Sequence, residues 1–100
     1  MIVISGRMRF DPAHRDHALA EIAPVVAATA TEEGNVHYRY YADLEDPNVL
    51  LLFEEWRDDE ALQAHFAQPY VLSFLEQLPT LGMVEASVHR YDVSTKSLMG

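Results

Sequence analysis

The chain has 100 residues, of which 16 are acidic and 7 basic, and its formal net charge of -9 would repel a phosphate backbone or an anionic bilayer surface, so neither nucleic acid nor membrane is an expected partner. Apolar residues make up 49% of it and glycines number only 4, the composition of a folded domain and not of a linker. It has no cysteine, which excludes disulfides, thiolate chemistry and the usual structural zinc sites.

The opening MIVISGRMRF has no basic region leading into a long apolar stretch, and no later run reaches membrane-spanning length, so a cytoplasmic protein is expected. Within it Ile2, Ile4, Gly6, Met8 and Phe10 fall on one face and Val3, Ser5, Arg7 and Arg9 on the other, the period-two pattern of a strand. Asp11 before Pro12 reads as a helix cap with proline at the first helical position. Leu19, Ile22, Ala23, Val26, Ala27 and Ala30 then recur at helical spacing, predicting a helix to about Glu33 that stops at Gly34 and is kinked by Pro24. VHYRYYAD, a turn through Glu45, Asp46, Pro47 and Asn48, and VLLLFEEW predict a hairpin. Asp58 or Asp59 can cap a second helix with Leu62, His65 and Phe66 on one face, interrupted at Pro69. Val71, Phe74, Leu75 and Leu78 mark a third helix ending near Pro79 and Gly82, and MVEASVHRYDV a fourth strand, with a polar tail over about 94–100. The order predicts one α+β domain over residues 1–100, a ferredoxin-like split βαβ arrangement whose antiparallel sheet carries its helices on one side.

The third strand is apolar on both faces. Alternation sends Val49, Leu51 and Phe53 one way and Leu50, Leu52 and Trp56 the other, while one layer of helices covers only one face. At about 25 cal/mol per Å² of apolar surface, an uncovered face would forfeit several kcal/mol. The simplest cover is a second copy of the sheet. The expectation is therefore a homodimer, a dimeric α/β barrel, in which the face with Leu50, Leu52 and Trp56 lacks a cover of its own and the space between the sheets is the candidate cavity.

The segment EEGNVHYRYYADLEDPNVLLLFEEWRDDEALQAHFAQPYVLSF resembles the antibiotic biosynthesis monooxygenase family, including its quinol monooxygenases. The resemblance rests on Glu33-Gly34-Asn35, Tyr38 and Tyr40, the Asp46-Pro47-Asn48 turn, Glu54-x-Trp56 and Ala64-His65. It implies a dimeric α+β barrel that oxygenates a small phenolic or quinol substrate with O2, without flavin, haem or metal. That chemistry needs a substrate that donates an electron to oxygen once deprotonated, and from the protein a base, a group that stabilises the anion, and a dry cavity.

His65 is the candidate base, beside Leu62 and Phe66 on an inward face, imidazole being in general the side chain best suited to move a proton near neutral pH. Its other reading is a buried histidine bonded to a backbone carbonyl, and the resemblance favours the first. Trp56 is a candidate wall for an aromatic substrate, or else plain packing. Glu54 is a second base or the partner of an arginine. Arg7, on the mixed face of the first strand, would hold an oxyanion in the inter-sheet cavity, or pair with Glu54 or Glu55. Asn35 matches a family position near the pocket and could orient a substrate oxygen, or satisfy the turn. Tyr38 is a candidate substrate contact, one of several rings expected to be core with wet tips. His14 and His17 stand three apart with no third ligand, and no metal site is expected.

Two other functions stay open beside oxygenation: isomerase or lyase chemistry on a small oxygenated metabolite, and non-catalytic binding of a small molecule. Haem degradation fits poorly. Arg7 stands where haem-degrading relatives would carry asparagine, and the third helix offers no histidine to ligate iron.

Overall fold

Alternation along the first strand sorts its side chains into two environments, and the rest of the fold is built on that division. In the computed structural model, which describes residues 1–100, β1 (Ile2–Phe10) buries Ile2, Ile4, Met8 and Phe10 on one side and leaves Ser5 and Arg7 exposed on the other. Next come α1 (Arg15–Thr29), β2 (Asn35–Ala42), β3 (Val49–Trp56), α2 (Asp59–Phe66), α3 (Pro69–Gln77), a 3-10 turn over Leu78–Leu81, and β4 (Met83–Asp92). The strands pair antiparallel in the order β2-β3-β1-β4. This is the expected ferredoxin-like α+β arrangement, and no helix is long and apolar enough to cross a membrane.

Register fixes which side chains face the helices. Gly6 stands opposite Leu52 on β3 and Val88 on β4, Met8 opposite Leu50 and Ala86, and Tyr38 on β2 opposite Glu54. A Cβ at Gly6 would lie 3.1 Å from Cγ2 of Val88, so the bare position keeps the floor open between those strands. Against this face pack Ala18, Ile22 and Val25 of α1, Ala61, Leu62 and His65 of α2, and Val71 of α3. Asp58 caps α2, its Oδ1 accepting from Ala61 N at 2.8 Å, and Arg90 of β4 pins the same end through Asp59 at 2.7 Å.

Three expectations need correction. The first concerns β3: Leu50, Leu52, Glu54 and Trp56 lie on the helix-covered side and are buried, whereas Leu51 and Phe53 are 39% and 37% exposed on the other. The open face is thus the one opposite to that inferred. Alternation gives two sets of residues and no sign, and both sets here are apolar. The second is the extent of α1. Asp11 forms an Asx turn with Ala13 N (2.9 Å) instead of capping a helix, and α1 begins at Arg15. At the other end Thr31 N and Glu32 N bond three residues back to Ala28 O and Thr29 O, so the chain tightens into a turn after Thr29 and Gly34 closes it at φ 83°. The third is the buried face of α1, which runs through Ala18, Ile22, Val25 and Thr29; Ala23, Ala27 and Ala30 are exposed. Alanines fit either side of a helix and carry little weight in placing its apolar stripe.

Candidate functional site

A cavity of about 230 Å³ lies inside one chain, between the helix-facing side of the sheet and the helices. Its floor comes from Met8, Leu52, Ala86 and Val88, and its roof from Ile22 and Val25 of α1 and Val71, Phe74 and Leu75 of α3. Phe66, Leu75 and Val88 line it while being substantially exposed, which marks its mouth. It lies within one chain, on the side of the sheet opposite to its open face.

Polar groups are few and come from neighbouring positions: Glu54, His65 and the hydroxyls of Tyr38 and Tyr40, with no lysine or arginine in the lining. Register explains the grouping, since Tyr38 pairs with Glu54 and Tyr40 with Leu52 across β2 and β3. His65 reaches the same place from α2 because Ala61, Leu62 and His65 fall on one stripe, at i, i+1 and i+4.

His65 is 3% exposed, and its ring stands 4.7 Å from that of Trp56 and 5.6 Å from that of Tyr38, centroid to centroid. Nδ1 lies 2.8 Å from Oε2 of Glu32, an oxygen that also accepts the hydroxyl of Tyr70 from α3. Nε2 has no hydrogen-bond partner in the chain. No fully buried side-chain nitrogen or oxygen lacks a partner, so Nε2 keeps access to open space, and the cavity is what His65 lines. Trp56 is completely buried and does not line the cavity; its indole N–H donates to Oε1 of Glu54 at 2.9 Å. It therefore backs His65 and holds Glu54, a packing position and not a wall for a ligand.

Burial pushes the Glu54 carboxyl above the usual carboxylate range, opposed by the Trp56 hydrogen bond and the nearby His65, and reinforced by Glu32. Burial likewise drives the Tyr38 phenol far above its ordinary value, helped by Tyr40 and by its hydrogen bond to that residue, and raises Tyr40. Tyr70 is pushed up to about 12 by burial and by its bond to Glu32.

Of the residues singled out from sequence, the structure brings His65, Glu54 and Tyr38 together at the cavity and puts Trp56 directly behind them. Asn35 does not line it. Its Nδ2 donates to His37 O at 3.2 Å, and its backbone stands opposite Trp56, so its side chain serves the turn. Arg7 is on the open face of the sheet, more than half exposed, with Glu85 at 3.9 Å; it reaches neither the cavity nor Glu54 or Glu55. The alternation of β1 with Arg7 opposite Leu51 requires this. Glu55 pairs with Lys96 of the tail at 3.0 Å. Sequence reasoning missed Glu32, Tyr70 and, as a lining group, Tyr40. Adjacent glutamates at a helix exit give no parity to tell Glu32, which turns inward, from Glu33, which is exposed beside Arg57. Strand parity with Tyr38 was the available signal for Tyr40.

Comparison with known proteins agrees with this fold. An uncharacterized protein of Synechocystis sp. is 30% identical over 93 residues; the match takes in 93% of this chain but only 63% of that longer protein. YcnE of Bacillus subtilis, a candidate monooxygenase, is 26% identical over 94 residues, 94% of this chain and 99% of its own length. Among solved structures, a candidate antibiotic biosynthesis monooxygenase from Deinococcus radiodurans superposes with a TM-score of 0.89 at 25% identity over all of both chains. Rv0793 from Mycobacterium tuberculosis gives a TM-score of 0.86 at 24% identity over 97% of this chain and 98% of its own, which supports the fold alone. The profile of the antibiotic biosynthesis monooxygenase family matches residues 1–77, and the chain belongs to that family.

Proposed function

We propose that the protein is a cofactor-independent monooxygenase that oxidises an uncharged phenol or quinol with O2, His65 acting as general base. The observation that carries this reading is the open Nε2 of His65 at the one polar end of an otherwise apolar cavity. Without lysine or arginine in the lining, a carboxylate or phosphate on the substrate would find no partner. A neutral aromatic ring with its hydroxyl toward His65 fits.

Nε2 takes the hydroxyl proton, and the phenolate passes one electron to O2. The aryloxyl radical and superoxide combine at a hydrogen-bearing ring carbon, para to the oxygen in a simple phenol and ortho to it in a hydroquinone, forming a carbon–oxygen bond. The imidazolium returns its proton to the outer peroxide oxygen. Loss of the C–H proton at that carbon and cleavage of the O–O bond then give the quinone, a hydroxyquinone from a hydroquinone, and the departing hydroxide takes up that proton and leaves as water. A phenol and O2 thus become a quinone and H2O, with both electron pairs drawn from the ring. The raised Glu54 carboxyl reduces the repulsion that a phenolate would meet in this pocket.

The test is oxygen uptake by the purified protein with a panel of neutral naphthols and hydroquinones, run with anaerobic controls. Uptake well above autoxidation, with quinone appearing in step, supports the reading. Anaerobic turnover of a substrate would replace it with isomerase or lyase chemistry. Thermal stabilisation by the phenols without turnover would leave a binding protein.

We also infer that a second copy of the chain covers the open sheet face, where Leu51, Phe53, Tyr41 and Tyr91 are exposed. The cavity lies on the other side of the sheet, so it does not need that partner for its walls.

A further inference from the structure

The hydrogen bonding of Glu32 goes beyond the assignment of a base. Glu32 follows the end of α1, yet its side chain is only 9% exposed and meets two other helices, through His65 of α2 and Tyr70 of α3. An ionised carboxylate can only accept hydrogen bonds, so the histidine nitrogen facing it must carry the proton. We propose that Glu32 is a positioning residue that keeps the His65 proton on Nδ1 and thereby turns the bare Nε2 toward the cavity. The inference rests on the reading of His65 as general base. With the proton on Nε2 instead, the nitrogen open to the cavity would have no lone pair to take a substrate proton.

Glu32 is the one side chain that hydrogen-bonds the His65 ring. Glu54 of β3 is engaged by the Trp56 indole, Tyr38 of β2 bonds Tyr40, and the Tyr70 hydroxyl of α3 bonds Glu32 itself. Trp56, behind the imidazole, offers only its ring face. Tyr70 donates to the same carboxylate oxygen that His65 meets, and its weaker contact with Thr29 Oγ1 (3.4 Å) ties the assembly to the last turn of α1.

The experiment reads the tautomer directly, from long-range proton–nitrogen correlations of the protein labelled with 15N-histidine, with the His65 signals identified by their loss in His65→Gln. In the wild type His65 is expected to be protonated on Nδ1 and bare on Nε2. In Glu32→Gln the amide can donate to Nδ1, and a substantial share of the Nε2–H tautomer is expected. With this should go a fall in kcat of about a hundredfold at little changed KM, since the substrate site stays intact. Tyr70→Phe, which removes the other donor to the carboxylate, should keep His65 protonated on Nδ1, and so should Glu32→Asp. A wild-type His65 protonated on Nε2 would overturn the proposal without any variant. So would a folded Glu32→Gln protein with an unaltered tautomer. The tautomer is measured without turnover, so an absence of oxygen uptake by the wild type would remove the functional reading while the role of Glu32 was judged separately.

Discussion

The Trp56 indole donates a hydrogen bond of 2.9 Å to Glu54, two residues earlier on the same strand, and both side chains are buried between sheet and helices. A carboxyl there gains this one strong donor but loses most of its hydration, and the loss dominates: its pKa is raised.

A raised carboxyl binds more protons folded than unfolded, so it favours the folded state in acid and ceases to do so as pH rises from the unfolded value of about 4.3 through the folded one. Glu54→Gln keeps an acceptor for Trp56 and carries no charge. It should therefore be stabilised relative to wild type by about 1 kcal/mol near pH 7.5, with the difference shrinking toward pH 4. Urea unfolding at several pH values measures this, and a variant less stable than wild type at pH 7.5 would contradict it.

His65→Gln should fold, because glutamine can still reach Glu32 with an N–H donor in place of Nδ1. Loss of a general base lowers rate by about a hundredfold to ten-thousandfold, or roughly 3–5 kcal/mol of transition-state stabilisation. A phenol already ionised at the assay pH should lose less. Steady-state oxygen uptake with a pair of phenols of different acidity checks both statements.

Gly34 links the inward Glu32 to β2 with φ 83°, and a Cβ there would lie 2.5 Å from Cβ of Ala61 on α2. Gly34→Ala should destabilise by about 2–4 kcal/mol, from left-handed backbone strain together with the clash. Adding Ala61→Gly should recover the clash and not the strain, so the double variant should be more stable than additivity of the two singles requires. A double-mutant cycle in urea gives the coupling.

Phe53 and Leu52 are neighbours on β3 with opposite fates. Phe53→Glu places a charge on the open face and should give a folded monomer, whereas Leu52→Glu buries that charge beneath the helices and should unfold the chain. Sedimentation and circular dichroism distinguish them. A wild type that sediments as a monomer at micromolar concentration would remove the inferred dimer.

Tyr70, pushed up to about 12, loses its proton more readily unfolded, at about pH 10, so folded stability should fall between about pH 10 and 12. In Tyr70→Phe that part of the fall should be absent. Unfolding followed across this alkaline range reads the difference.

The sequence by itself determined the elements and their order, because alternation in β1 and β3, the cap at Asp58 and the breaks at Gly34, Pro69 and Gly82 are local features whose energetics act within a few residues. It also singled out Glu54, His65 and Tyr38, which the fold brings to one cavity. Only the tertiary structure decided which face of β3 the helices cover, since Leu50 and Leu52 against Leu51 and Phe53 are nearly equal in apolar character and the choice depends on what the crossovers place above them. The same decision sent Arg7 away from the cavity that lies between this sheet and its helices. Glu32, His65 and Tyr70 come from the turn after α1, from α2 and from α3, and meet only when those elements pack on one sheet. No spacing along the chain encodes a contact between 32 and 65, because hydrogen bonds between distant segments depend on the path of the backbone through space and not on local periodicity.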